Sequence, residues 1–460
     1  MAVAPLLALL LFLSGTNNYL GTLARADREP YGRDFDTHRP TGRFSNGRIP
    51  VDYIAERLGL PFVPPYLEQN MRTGAADVGF TNIDGMIQGV NYASAAAGII
   101  SSTNSTSSPS SSPRPAPLVP ALFVIGDSTA DVGTNNYLGT LARADREPYG
   151  RDFDTHRPTG RFSNGRIPVD YIAERLGLPF VPPYLEQNMR TGAADVGFTN
   201  IDGMIQGVNY ASAAAGIISS SGSELGMHVS LTQQVQQVED TYEQLSLALG
   251  RRRRSVFFVS IGSNDFIHYY LRNVSGVQMR YLPWEFNQLL VSTMRQEIKN
   301  LYDINVRKVI LMGLPPVGCA PHFLEEYDSQ TGECIDYINN VVIEFNYALR
   351  HMSSEFISQH PDSMISYCDT FEGSVDILNN REHYGFVTTT DACCGLGKYG
   401  GLIMCFLPQM ACSDASSHVW WDEFHPTDAV NRILADNVWS SQHTKMCYPL
   451  DLQQMVKLKL

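Results

Sequence analysis

From residue 118 onward the chain alternates short apolar runs with longer stretches of helical periodicity. Ala121 to Ile125 is a continuous apolar run, as expected of a strand buried on both faces, and it breaks at Gly126-Asp127-Ser128. Val208–Ser212, Ser255–Gly262, Lys308–Leu314 and Met364–Tyr367 are four more strand candidates. Helices are predicted between them. One spans Ile167–Leu178, and another runs from the capping box Ser230-Leu-Thr-Gln233 to near Gly250. A third, Trp284–Tyr302, carries Phe286, Leu289, Leu290, Met294, Ile298 and Leu301 on one face. The fourth, Ile335–Phe356, does the same with Ile338, Val342, Phe345, Leu349 and Met352. Five strands with helices between them predict an α/β fold, a three-layer α-β-α sandwich around a five-stranded parallel sheet of flavodoxin-like type.

The first quarter of the chain reads differently. Gly15–Ser102 is identical, residue for residue, to Gly133–Ser220, a repeat of 88 residues. The first copy lacks the strand and the Gly-Asp-Ser that lead into the second. An undiverged pair is not a solenoid, whose repeats diverge and come in at least three. Thr103–Pro117, TNSTSSPSSSPRPAP, is a Ser/Pro-rich linker unable to build a core. Residues 1–15 contain the apolar run Pro5–Leu13, too short to span a bilayer and of signal-peptide length. The expected organisation is therefore a signal peptide at 1–15, a partial duplicate at 16–102, a linker at 103–117 and one complete domain at 118–460.

Composition narrows the function. With 43% hydrophobic and 18% charged residues the chain reads as a soluble globular protein, with no transmembrane segment expected. A formal charge of −13 argues against nucleic acid as a partner. The one basic run, Arg251–Arg254, reads as a solvated loop before a strand. All eight cysteines lie beyond residue 318, and an even number in an exported chain suggests disulfides. Cys319 with Cys334 closes a short loop. Cys393 and Cys394, being adjacent, each reach Cys405 or Cys412, while Cys368 and Cys447 either pair or stay free. No zinc-type spacing is present, so no metal and no cofactor is expected. Asn104 and Asn273 begin glycosylation sequons, which matter only in an exported protein.

Four stretches fall at strand ends or turns where an open α/β sheet keeps its chemistry: Gly126-Asp127-Ser128, the turn ending at Gly216, Gly262-Ser263-Asn264-Asp265, and Trp421-Asp422-Glu423-Phe424-His425-Pro426. Acyl transfer needs a nucleophile, a base, an orienter for that base and donors for an oxyanion. Ser128 offers the hydroxyl, His425 the base and Asp422 the orienter. The side chain of Asn264 and the backbone N–H groups of Ser128 and Gly216 can hold the oxyanion. Each element alone is weak, since Gly-Asp-Ser is ordinarily a turn and Asp-x-x-His ordinarily a surface turn. Asp127 and Asp131 are expected to position the loop. His268 reads as a structural residue that could face the cleft, and His418 lacks a carboxylate three residues before it.

Taken in order, GDSTAD (126–131), GVNYASAAAGI (207–217), SIGSND (260–265), GLPPVGC (313–319) and WDEFHP (421–426) resemble the successive blocks of the plant-type GDSL esterases/lipases of the SGNH-hydrolase superfamily. The resemblance covers 118–460. It implies Ser128, Asp422 and His425 as a catalytic triad, Gly216 and Asn264 in the oxyanion hole, and hydrolysis of carboxylic esters through an acyl-enzyme. In that family the second block often has Gly where this chain has Ala213 or Ala214. Alanine can serve there if its φ stays negative, and which residue of the turn donates is left open. No Gly-x-Ser-x-Gly elbow occurs, which removes the α/β-hydrolase alternative. The expectation is a secreted, extracellular glycoprotein acting on a small-molecule or lipid ester. The other reading is a catalytically inactive member of the same fold that binds lipid or cell-wall glycan.

Overall fold

The structure is a computed structural model that describes residues 26, 28–43, 45–57, 62, 116–189, 205–249, 255–271 and 276–458. The signal-like stretch 1–15, the sequons at Asn104 and Asn273 and the run Arg251–Arg254 lie outside the described residues. The chain divides into two units, Met1–Pro113 and Arg114–Leu460.

In the first unit, helix α1 (Pro50–Arg57) follows a loop pinned by a buried ion pair. Two guanidinium nitrogens of Arg43 donate to the Asp52 carboxylate at 2.8 and 2.7 Å. The second copy repeats this locally, with Arg161 on Asp170 at 2.7 Å twice and the same eight residues forming a helix. Identical local sequence thus gives identical local structure. Among the described residues the first unit has no strand.

The second unit is built on a sheet of strands β1 (Leu122–Gly126), β2 (Val256–Ser260), β3 (Lys308–Met312) and β4 (Met364–Cys368), all parallel and in that order. Their apolar runs are buried on both faces, which is what makes β1 and β3 continuous hydrophobic segments. The fifth strand differs from the expectation. It is Cys447–Tyr448, antiparallel to β4, and not Val208–Ser212. The latter stretch still runs beside β1: Val124 N–H donates to Val208 C=O at 3.0 Å and Tyr210 N–H to Val124 C=O at 2.8 Å. Its ladder is cut to single bridges because Asn209 turns its side chain back onto the backbone, donating to Ala130 C=O and accepting from Ala211 N–H.

The helices form two groups. Helix α2 (Pro168–Arg175) packs with the helix Asp428–Ser440 near the C-terminus, which also packs with Thr370–Asn379. In the other group the helix Leu231–Leu249 packs on Pro283–Asp303, and that on Asp336–Gln359. The predicted apolar faces of the last two are the buried ones, apart from Leu289, which is half-buried. The Ser230/Gln233 capping box opens the Leu231 helix, with Ser230 N–H donating to Gln233 Oε1 at 2.9 Å. All eight cysteines are paired: Cys319–Cys334, Cys368–Cys447, Cys393–Cys412 and Cys394–Cys405. The sheet, covered by helices, is the predicted α/β sandwich, and its strands end in register. Gly126 stands opposite Ser260, and Met312 opposite Cys368, so the loops that follow them open on one edge.

Candidate active site

At Gly126 the chain leaves β1 so close to β2 that a Cβ would meet Ser260 C=O at 2.6 Å, which requires glycine there. The turn is closed by Asp127. Its carboxylate accepts from Thr129 N–H and Oγ at 3.0 and 2.7 Å, and its carbonyl accepts from Ala130 and Asp131. The amide of Gln234, reaching from the Leu231 helix, clamps both backbone groups of Gly126. Ser128 is thereby held at the strand's end on a braced turn.

The base comes from the far end of the chain. After the short strand His418–Trp420, Asp422 Oδ1 accepts from the backbone N–H of Phe424 and His425 at 3.0 and 2.8 Å, curling the chain into a tight turn. The same carboxylate lies 2.7 and 2.9 Å from His425 Nδ1. The other ring nitrogen, Nε2, is 2.8 Å from Ser128 Oγ. Phe162 packs on the imidazole with ring centroids 4.8 Å apart. Burial alone would raise the Asp422 pKa, but the His425 charge and the N–H donors reverse this and hold the carboxyl below its ordinary value. Burial alone would likewise lower His425, and the Asp422 carboxylate outweighs it, so the imidazole pKa lies above its usual value.

Asn264 caps a π-helix, Asp265–Tyr270, and its Nδ2 donates to Ala215 C=O at 2.9 Å while the side chain lines the cavity over Ser128. The turn at 212–217 is held from two sides. Asp131 accepts from Ala213 N–H at 3.1 Å and from the N–H groups of Gly133, Thr134 and Asn135. Asp265 accepts from Ile217 N–H, Ile218 N–H and Ser221 Oγ. Burial pushes both acids up to about 6 against these donors. Gly216 sits under Asp265, where a Cβ would fall 2.7 Å from either carboxylate oxygen, and it is not on the cavity wall. Ala213 and Ala214 are on that wall. Ala214 has φ +71°, so a negative φ, the condition under which alanine was expected to serve, is not met there. His268 lines the cavity and lies 2.8 Å from Glu224, whereas His418 turns away onto Ser417 and Asp414.

The cavity, about 370 Å³, extends from Ser128 and His425 to the sheet face, where Phe258 and Met312 meet Val430, Leu434 and Val438 of the helix Asp428–Ser440. That lining suits a hydrocarbon chain. Among the described residues one group has metal-like spacing, Cys393, Cys412 and His418, and its two sulfurs are joined in a disulfide.

Sequence reasoning missed Tyr149, Phe162 and Glu423, which surround the Asp422–His425 turn. The first two come from an irregular loop without periodicity. Glu423 lies inside the WDEFHP block, between Asp422 and His425.

Residues 122–438 match the family described as GDSL-like lipase/acylhydrolase. The chain is 39% identical to GDSL esterase/lipase 7 of Arabidopsis thaliana over 355 residues, covering 74% of this chain and 93% of that protein. A second Arabidopsis thaliana GDSL esterase/lipase is 37% identical over 347 residues, covering 74% and 90%. The chain belongs to the GDSL lipase/acylhydrolase family and is a carboxylic ester hydrolase.

Proposed function

We propose that the protein cleaves lipid-type carboxylic esters through an acyl-enzyme on Ser128. The carrying observation is the unbroken chain from Ser128 Oγ through both ring nitrogens of His425 to Asp422, with steps of 2.8 and 2.7 Å. His425 Nε2 takes the serine proton as Oγ attacks the ester carbonyl. It then returns that proton to the departing alcohol, while Asp422 holds the Nδ1–H tautomer. Water, activated by the same nitrogen, attacks the acyl-serine and releases the acid.

The oxyanion falls to Asn264 Nδ2, the N–H of Ser128 and one N–H of the 212–217 turn. Asp131 engages Ala213 N–H and Ser212 C=O engages Ala215 N–H, which leaves Ala214 as the donor at the wall. This reading places the donor at Ala214 in preference to Gly216, with the positive φ at Ala214 carried as backbone strain, so the negative φ expected of a donating alanine is not a requirement. The apolar lining and the four disulfides support an acyl substrate and export into an oxidising compartment. Among the described residues no helix is long and apolar enough to cross a membrane.

The test is hydrolysis of a graded series of aryl esters by the purified chain. Ser128→Ala should abolish turnover with the fold intact. Asn264→Ala should lower kcat about 10²–10³-fold with KM little changed. Turnover by Ser128→Ala at the wild-type rate would assign the nucleophile elsewhere.

A further inference from the structure

Beside the proposed triad lies an acid that the acyl-transfer scheme does not use. Glu423 is 6% exposed and lines the cavity. Its backbone carbonyl accepts from His322 N–H at 3.2 Å, but its Oε2 is buried without a hydrogen-bond partner. The charged and titratable groups around it are Asp422 and His425 on its own turn, Arg146 and Tyr149 from the loop before α2, and His322 on the cavity wall. Arg146 attracts it without bonding it, for the Arg146 Nε is also buried and unpartnered. Burial, and then the neighbouring Asp422 carboxylate, push the Glu423 carboxyl up to about 8, so at neutral pH it keeps its proton. A buried polar group with no partner burdens the free enzyme, and a ligand atom can relieve it.

The position of Glu423 suggests which part of the substrate it meets. The hydrocarbon chain belongs against Phe258, Met312, Val430 and Leu434. Glu423 is joined through its carbonyl to His322, whose Nδ1 lies 3.2 Å from Gly401 C=O, next to Leu402, a lining residue that is 68% exposed. With the acyl chain on the apolar wall, the alcohol half of the ester is assigned to this exposed side. An anionic alcohol portion would meet the Asp422 carboxylate, which disfavours it.

We propose that Glu423 is a specificity-determining residue whose carboxyl O–H donates to an uncharged oxygen in the alcohol portion of the substrate. The assignment rests on the esterase reading above. The enzyme accordingly prefers esters of oxygen-bearing alcohols, such as ethers or partly acylated polyols, to esters of plain alkanols.

Butyl decanoate and 2-methoxyethyl decanoate test this, because they differ by one CH₂ replaced by an acceptor-only oxygen. At pH 7 the ratio of their kcat/KM values should favour the methoxyethyl ester about tenfold relative to Glu423→Leu. The wild-type preference should fade as pH rises through about 8, since a carboxylate cannot donate. Glu423→Gln, which keeps a donor, should retain the preference and lose its pH dependence. A ratio that is independent of pH in the wild type and unchanged in both variants would overturn the assignment while leaving the esterase reading intact. The wild-type ratio against pH decides the matter even where a variant does not fold. Hydrolysis of neither ester would overturn both.

Discussion

Tyr149 donates its hydroxyl to Oδ2 of Asp422 at 2.8 Å, joining a loop in the first third of the complete domain to the carboxylate that faces His425. This bond spreads the charge of Asp422 over a further donor. Tyr149→Phe should therefore leave a more basic carboxylate that holds the imidazolium more tightly. The expected result is a loss of about tenfold in kcat/KM and an acid limb of the pH–rate curve displaced upward. A purely structural tyrosine would lower the melting temperature without moving that limb.

In the proposed triad only neutral His425 can take the serine proton, and its pKa lies above the ordinary imidazole value. Activity should thus be lost below that raised pKa and recovered as pH increases through it. The limb should fall above about 6.5, the unperturbed imidazole value. A kcat/KM profile measured from pH 5 to 8 checks this, and a flat profile would argue against a histidine base.

Ala214 occupies a left-handed backbone conformation that costs an alanine roughly 1–2 kcal/mol. The turn tolerates it because Asp131 grips Ala213 and the chain at Gly222 closes tightly over Ala214 C=O. Ala214→Gly should hold or raise the melting temperature and keep kcat, because relieved strain offsets the looser unfolded chain. A β-branched Ala214→Val should lower both. A large loss of activity in Ala214→Gly would show that the methyl group itself contributes to the site.

Deleting Thr16–Pro117 should leave an esterase of undiminished specific activity, within about twofold. The first copy carries no counterpart of Ser128, Asn264, Asp422 or His425, and no cysteine. Its Arg43–Asp52 pair and α1 form without those parts, so what it folds into is local. Comparing full chain and deletion by melting temperature and ester turnover checks this, and an inactive deletion would show the duplicate to be built into the enzyme. Competition between the two copies for one place in the fold is only mildly opposed by loop closure, at about 0.6 kcal/mol per doubling of length. A swapped minority in the full chain is therefore expected to disappear with the deletion.

The parts of the fold legible in the sequence were those with strong local codes. β1 and β3 are apolar throughout because both faces are covered, and Ser230/Gln233 announces its helix by cap chemistry. Val208–Ser212, Val-Asn-Tyr-Ala-Ser, is mixed in polarity, Asn209 spends its amide on the backbone, and the antiparallel place at the other edge goes to Cys447–Tyr448. At the site, the order of the sequence blocks pointed to residues that the structure brings together: His425 lies between Ser128 and Asp422, and Asn264 lines the same cavity. Gly216 does not line the cavity, for a glycine can be demanded either by an approaching ligand or by a neighbouring carboxylate, here Asp265, and sequence does not distinguish the two. Tyr149 and Phe162 belong to a loop whose shape is fixed by tertiary contacts, so no period revealed them.

Ser128 and His425 stand 297 positions apart in a chain synthesised from one end. A growing polypeptide acquires Ser128, the 212–217 turn and Asn264 long before His425 is synthesised. At about 5–20 residues per second, that interval is on the order of tens of seconds. Truncation anywhere before Asp422 deprives Ser128 of the Asp422–His425 pair. Under the proposed triad, hydrolytic competence therefore cannot precede the synthesis of His425, and the compartment that makes the chain is spared its chemistry until then.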